Sequence, residues 1–246
     1  MMESAGKNLD IIIPAKGEGK IIMHTINQIL DVFPKANLIV VDDGCLDNTT
    51  EVITAIYPKV FCYPKEKSEG KGSAIQAGWR FSERKYVAIL DADLQIHPKE
   101  LKTFSKIMDL YDAEVVIGNK RHLYSDVRTG ILRKIISNTY NLIVRFLFET
   151  NLRDTQCGCK LFKSWAFADA MQSVTVDKFA FDLELLMVLR EHKRRIVDAP
   201  VYVADGKRSG SVSIKSIWET FIDTMKVFFR LYSGGYGREV KTFGSL

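Results

Sequence analysis

Short runs of consecutive apolar residues alternate, through the first half of the chain, with segments whose apolar residues recur at helical spacing. Leu9-Asp10-Ile11-Ile12-Ile13-Pro14 reads as a strand ended by proline, and Ile21 to Phe33 follows as an amphipathic helix. Asn37 to Asp42 is a second buried strand, breaking into the turn Asp42-Asp43-Gly44. Thr49 to Ile56 reads as helix, Val60 to Tyr63 as a short strand, and Ser73 to Ser82 as helix again. The apolar run Tyr86-Val87-Ala88-Ile89-Leu90 then delivers Asp91 and Asp93 at its end, and Val115 to Gly118 is a further strand. Strands that alternate with helices predict right-handed βαβ units and a mostly parallel central sheet flanked by helices, an α/β fold.

The second half carries long helical patterns. Ile131 to Phe148 sets Leu132, Ile136, Tyr140, Ile143 and Leu147 on one face and Lys134, Asn138, Asn141 and Arg145 on another. Ile214 to Tyr232 sets Ile217, Trp218, Phe221, Met225, Phe228 and Tyr232 against Lys215, Glu219, Asp223, Lys226 and Arg230. Those charges exclude a bilayer-spanning helix. Aromatic bulk beside cations suits a helix lying in a membrane interface, and it equally suits one that caps the domain's own core. The chain divides accordingly into an α/β domain over 1–212 and a C-terminal helix and tail over 213–246.

Composition narrows the class only a little. A chain of 246 residues with 46% hydrophobic and 26% charged residues has enough apolar material for one large soluble domain. A net charge of +5 favours phosphorylated ligands or anionic membrane surfaces, but alone decides nothing. The basic residues form no aromatic-interleaved patch, so nucleic acid is not an expected partner. Cys157-Gly158-Cys159 lacks the two-residue spacing of zinc knuckles, and the four cysteines read as free thiols of a reducing cytosol. The N-terminus does not resemble a signal peptide, and no run of about 18 apolar residues exists.

Candidate chemistry gathers where the strands end, because ligands of open α/β sheets bind outside the carboxyl ends of the strands. Pro14, Ala15 and Glu18 follow the first strand, Asp42 the second, and Asp91, Asp93 and Gln95 the strand at 86–90. Two acids at i and i+2 of an extended segment point the same way and concentrate negative charge. Such oxygen ligands suit Mg²⁺ or Mn²⁺, with a bound phosphate completing the shell. Asp42 can accept hydrogen bonds from a base or ribose, Gly44 lets backbone approach a ligand, and Lys71 between Gly70 and Gly72 suits phosphate at a helix N-terminus. Neither a GxxxxGK[ST] loop nor a GxGxxG turn is present.

In order, Ile13-Pro14-Ala15 with Glu18, Val40-Val41-Asp42-Asp43-Gly44, Gly70-Lys71-Gly72 and Leu90-Asp91-Ala92-Asp93-Leu94-Gln95 resemble glycosyltransferase family 2, which has the GT-A fold. Further on, Val116 to His122, then Arg133, Ser137 and Tyr140, then Asp154-Thr155-Gln156-Cys157-Gly158-Cys159-Lys160-Leu161-Phe162 look like the dolichyl-phosphate mannose and glucose synthases, over about residues 9–212. Departures are Lys16-Gly17 for the usual Tyr-Asn, Cys45 for Ser, and Asn119 for Ser. The resemblance implies nucleotide-sugar contacts at Pro14, Ala15, Glu18, Asp42, Lys71 and Asp91, and metal and diphosphate handling by Asp91, Asp93 and Gln95. It implies an acceptor phosphate met by Lys120, Arg121, Arg133, Ser137 and Arg208.

The reaction so implied moves a hexose from UDP-glucose or GDP-mannose to a polyprenyl (dolichyl) monophosphate, by inversion as family members generally do. A phosphate nucleophile is already anionic, so cationic positioning matters more than a strong base. Asp93, Arg133 and Asp154 are the candidate catalytic residues. Asp154 orients the acceptor or acts as base, or else is a structural acid paired with Arg153 or Lys160. Asp182 and Glu184 read as support for a helix. A lipid acceptor requires a membrane surface, so peripheral attachment to a cytosolic face through the 131–148 and 214–232 helices is expected. The competing readings are a hydroxyl acceptor and a catalytically silent nucleotide-sugar-binding domain.

Overall fold

The computed structural model describes residues 6–19, 21–44, 47–125, 131–203 and 214–236, with the side chains of 131–135 and 214–215 outside that description. The first half alternates as the pattern predicts: β1 (Leu9–Ala15), α1 (Ile22–Val32), β2 (Asn37–Asp42), α2 (Thr49–Ile56), β3 (Phe61–Pro64), α3 (Lys71–Trp79) and β4 (Tyr86–Leu90). Then come α4 (Glu100–Leu110), β5 (Val115–Asn119), α5 (Ile131–Leu147), β6 (Cys159–Lys163), α6 (Ser164–Met171), α7 (Phe181–Glu191), β7 (Ile196–Pro200) and α8 (Ile214–Tyr232).

Seven strands form one sheet in the order β3-β2-β1-β4-β6-β5-β7. Every pairing is parallel except those of β6, which runs antiparallel to β4 and β5. The topology gathers polar ends at one edge. β1 and β2 finish side by side, with Ala15 in register with Asp42. β4 finishes beside them, and because β6 runs the other way, its first residue, Cys159, faces Leu90. The segment entering β6, residues 154–158, therefore reaches the same edge, as does Asn119-Lys120-Arg121 leaving β5.

Two expectations shift. Pro14 does not end β1: it stands inside the strand in register with Val41, where a missing N–H costs one ladder donor near the strand's end. Helix α3 begins at Lys71 rather than Ser73, so this lysine belongs to the helix's first turn.

Strand alternation splits the core into two layers. Ile11 and Ile13 face Ile22, Ile26 and Ile29 of α1 and Leu101 and Phe104 of α4, while Ile12, Ile39 and Val41 face α3, α6 and α7. Helix α7 is buried from Phe181 to Leu189, which explains its unbroken apolar run from Leu185 to Leu189. Helix α8 packs on this second layer through Val227, Phe228 and Leu231. It runs alongside α5 in the same direction: Tyr140 meets Thr224 across 3.0 Å, and the Tyr232 hydroxyl donates to the Leu147 carbonyl at 3.1 Å. The opposite stripe of α8, including Trp218, Ile222, Phe229 and Tyr232, is exposed. Both readings of this helix thus have a physical basis, since it caps the core with one apolar face and leaves a second uncovered. No described helix is long and apolar enough to cross a membrane.

Candidate active site

At the end of β2 two neighbouring acids do different work. Asp42 is buried, and its Oδ2 accepts from Thr50 Oγ1 at 2.6 Å. Asp43 turns the other way and accepts from Lys65 Nζ (3.1 Å), Ser68 Oγ (2.8 Å), Glu69 N (3.1 Å) and Gly70 N (2.9 Å). Burial opposes its charge, but those donors outweigh burial and hold the carboxyl below the usual range. Asp43 thereby fixes the 65–70 loop that presents α3. Gly44, at φ +68°, is required by that same loop, because a β-carbon would stand 2.3 Å from Ser68 N. Its close approach here is to the chain's own backbone at Lys67 and Ser68. After β1, Glu18 stands at the entrance to α1, its carbonyl accepting from Ile21 N and Ile22 N. The neighbouring Gly19 N donates to Asp47 Oδ2 at 3.2 Å, tying this loop to the start of α2.

At the end of β4 the strand's alternation stops sooner than expected. Leu94 N donates to Asp91 O at 3.1 Å and Leu94 has φ +44°, so Asp91 to Leu94 is a turn and not an extended segment. Thr25 Oγ1 pins the turn by donating to Ala92 O at 2.6 Å, and Asp93 Oδ1 accepts from Gln95 N at 3.3 Å. Asp91 is held separately. Lys71 Nζ lies 2.9 Å from Asp91 Oδ1 and 3.0 Å from Asp182 Oδ2, and Lys160 Nζ lies 2.7 Å from Asp182 Oδ1. Burial disfavours charge on Asp91, yet Lys71 prevails and keeps the carboxyl below its usual range. For Lys71 burial is likewise outweighed, by Asp182 and Asp91, and its ammonium stays firmly protonated. Asp182 is therefore more than support for a helix: it joins the strand-end acids to a cation inside the core.

Hard oxygen groups are what Mg²⁺ or Mn²⁺ would find here. Asp91 is matched by Lys71, and the Asp93 carboxylate and the Gln95 amide lie beside the same turn. Among the described residues no three His, Cys, Asp or Glu side chains gather as a metal cage. The set fits an ion that draws most of its shell from a substrate diphosphate and water. Cys157 and Cys159 are buried free thiols, and burial pushes the first up to about 11.

On the far side, Arg121 is spent internally. Its guanidinium donates to Ser137 O (2.8 Å), Ser137 Oγ, Asn138 Oδ1 (3.3 Å) and Arg153 O (3.2 Å). It also lies 3.7 Å from Asp154 Oδ1. Two of the expected acceptor-phosphate residues, Arg121 and Ser137, thus satisfy each other. Asp154 is buried, accepts from Lys120 N (3.1 Å) and Gln156 N (3.3 Å), and pairs with Arg121 rather than Arg153 or Lys160. Lys120 differs: among the described residues its ammonium has no hydrogen-bond or ion-pair partner, and its charge acts on Asp91. Arg133 lies on α5 with its side chain undescribed, and Arg208 and Cys45 lie outside the described residues. Gln156, singled out by no charge or spacing, has its amide nitrogen buried beside the Tyr140 phenol, which burial pushes up to about 12. Clefts of about 350 and 500 Å³, between α7 and α8 and near the end of α5, stand apart from these strand ends.

The sequence pattern described as "Glycosyl transferase family 2" matches residues 10–169, which span all of these strand ends. The chain belongs to glycosyl transferase family 2. Among curated relatives of this family 2 glycosyltransferase is dolichyl-phosphate beta-glucosyltransferase ALG5C of Trichomonas vaginalis, 26% identical over 83% of this chain and 67% of its own length. The human dolichyl-phosphate beta-glucosyltransferase is 26% identical over 96% of this chain and 80% of its own length. In three dimensions the chain is similar to glucosyl-3-phosphoglycerate synthase of Mycobacterium tuberculosis, crystallised with Mn²⁺, UDP and glucosyl-3-phosphoglycerate. The TM-score is 0.70 at 14% identity, covering 94% of this chain and 82% of that one. The fold is the expected GT-A fold, and the protein is a glycosyltransferase.

Proposed function

We propose that this family 2 glycosyltransferase transfers a hexose from a nucleotide sugar to a polyprenyl monophosphate such as dolichyl phosphate, with UDP-glucose favoured over GDP-mannose as donor. The observation that carries the acceptor class is Lys120, an ammonium with no hydrogen-bond or ion-pair partner among the described residues, whose charge acts on Asp91 at the end of β4. A cation there suits an anionic acceptor brought close to an anionic donor, whose charges otherwise repel. The two curated relatives support the same class by name.

In this reading Pro14, Ala15, Glu18 and Asp42 line the nucleoside, while Lys71 and Asp91 stand by the diphospho-sugar. Asp93 and Gln95 would hold Mg²⁺ or Mn²⁺, which supplies charge neutralisation for the departing diphosphate. Lys120 orients the acceptor phosphate, joined by Arg133 and Arg208, and the phosphate oxygen attacks without a strong base. Asp154 serves by fixing Lys120's backbone and the Arg121 guanidinium. Residues 1–212 form the catalytic unit. The exposed stripe of α8 within 213–246 meets the cytosolic face of a membrane, a compartment that suits the buried free thiols.

The test offers labelled UDP-glucose and GDP-mannose separately, with dolichyl phosphate and Mg²⁺ or Mn²⁺, and counts label extracted into lipid. Lipid-linked glucose is expected. Absence of lipid product from both donors overturns the proposal.

A further inference from the structure

Lys160 is fully buried in the middle of β6, in register with Ile89 on one side and Ile117 on the other. The sheet offers an apolar position there and the chain places an ammonium in it. Its Nζ donates to Asp182 Oδ1 at 2.7 Å and to the Cys157 carbonyl at 2.5 Å. One residue further, the Gly158 carbonyl accepts from Asp91 N at 3.1 Å. Contacts therefore close a ring from Asp91 through Lys71, Asp182 and Lys160 to the Cys157-Gly158 backbone and back to Asp91. Two ammonium and two carboxylate charges cancel within it. A buried ion pair is weak support for stability, since apolar residues of similar volume often do as well or better. What such a ring supplies is fixed position.

Resting on the transferase reading above, we propose that Lys160 and Asp182, neither of which reaches the crevice, are positioning residues of the donor site. Lys160 fixes Asp91 from two directions, through Asp182 and Lys71 on the side chain and through Cys157-Gly158 on the backbone. The Asp91 carboxylate and the Lys71 ammonium are thereby placed before a diphospho-sugar arrives. Preorganisation of this kind contributes to donor binding and to the transfer step.

Three variants test it: Asp182→Asn, Lys160→Met, and both together. Asp182→Asn strands a buried ammonium and lowers the melting temperature. The double variant removes both inner charges together and recovers most of that loss. A purely structural role then predicts wild-type behaviour of the double variant. Positioning predicts instead that UDP affinity with Mn²⁺, by calorimetry, and kcat both fall about tenfold with KM for dolichyl phosphate unchanged. Lys160→Met, in which Asp182 keeps Lys71, shows the same fall in affinity if the double variant does not fold. Wild-type UDP affinity in a folded double variant, or in Lys160→Met, overturns the proposal. A wild-type enzyme that binds UDP yet makes no lipid product overturns the acceptor reading alone, and the ring is judged by affinity.

Discussion

Gly158 lies so close to the Asp91 carboxylate that a β-carbon at 158 would stand 1.9 Å from Oδ2 and 2.4 Å from the carboxyl carbon. The two residues are also joined by backbone, Asp91 N donating to Gly158 O at 3.1 Å. Any side chain at 158 must push the carboxylate away from Lys71. Gly158→Ala is expected to lose transfer by about 10²-fold, the scale of an ångström-sized misplacement at a reacting centre. A melting curve recorded alongside separates this from unfolding. Near-wild-type turnover by the alanine variant would exclude Asp91 from the donor site.

Asp43 is expected to shape the acid limb of stability. Its carboxyl is lowered in the folded state by the Glu69 and Gly70 amides, Ser68 and Lys65, against an opposing burial effect. A depressed folded value means stability that is fully present above the unfolded pKa of about 4 and is lost as pH falls through the folded value. Asp43→Asn removes that dependence. Melting temperatures measured from pH 6 to pH 2.5 should converge for wild type and variant toward the acid end, with wild type the more stable above about pH 4. A constant gap across the range would remove Asp43 from the acid transition.

The helix–strand alternation of the first half was legible because each strand is a bare apolar run and each helix carries an apolar stripe. β6 was not, since Lys160 in its centre breaks the apolar signal that Cys159, Leu161 and Phe162 would otherwise give. The acids at strand ends were legible by type and order, whereas their partners were not. Nothing in the sequence says that Lys71 is shared with Asp182, more than 100 residues away, or that Arg121 folds back on Ser137. Gln156 carries no charge and stands out only once its amide nitrogen is found buried beside Tyr140. The short turn after Leu90 also defeated simple alternation, because a left-handed Leu94 cannot be read from an apolar residue type.

Lys120 and Arg121 are adjacent cations with opposite expected phenotypes. Arg121 binds two backbone carbonyls and the side chains of Ser137 and Asn138, a fork that an ammonium cannot reproduce. Arg121→Lys should lower the melting temperature by a few degrees, corresponding to about 1 kcal/mol for the hydrogen bonds lost at these exposed acceptors. Lys120 makes no side-chain bond among the described residues, so Lys120→Met should leave the melting temperature within about a degree. Its effect should appear as a raised KM for the lipid phosphate. A Lys120→Met enzyme with unchanged acceptor KM would remove this residue from the acceptor site.

Helix α8 separates stability from surface binding on its two faces. Val227 is buried against the second core layer, and Val227→Ala should cost about 2 kcal/mol, or roughly 6 °C in a domain of this size. Trp218 and Phe229 point away from that core, 61% and 68% exposed, and α5 alongside exposes Leu142 and Phe146. Large apolar side chains in water gain free energy when they enter the headgroup region of a bilayer, and neighbouring cations add attraction to anionic lipid. Trp218→Ser with Phe229→Ser should therefore reduce flotation with phosphatidylserine-containing vesicles while leaving the melting temperature unchanged. Val227→Ala should do the reverse at a temperature where it stays folded. If the serine variant floats as well as wild type, α8 serves only to cap the core and the enzyme meets its lipid acceptor through another surface.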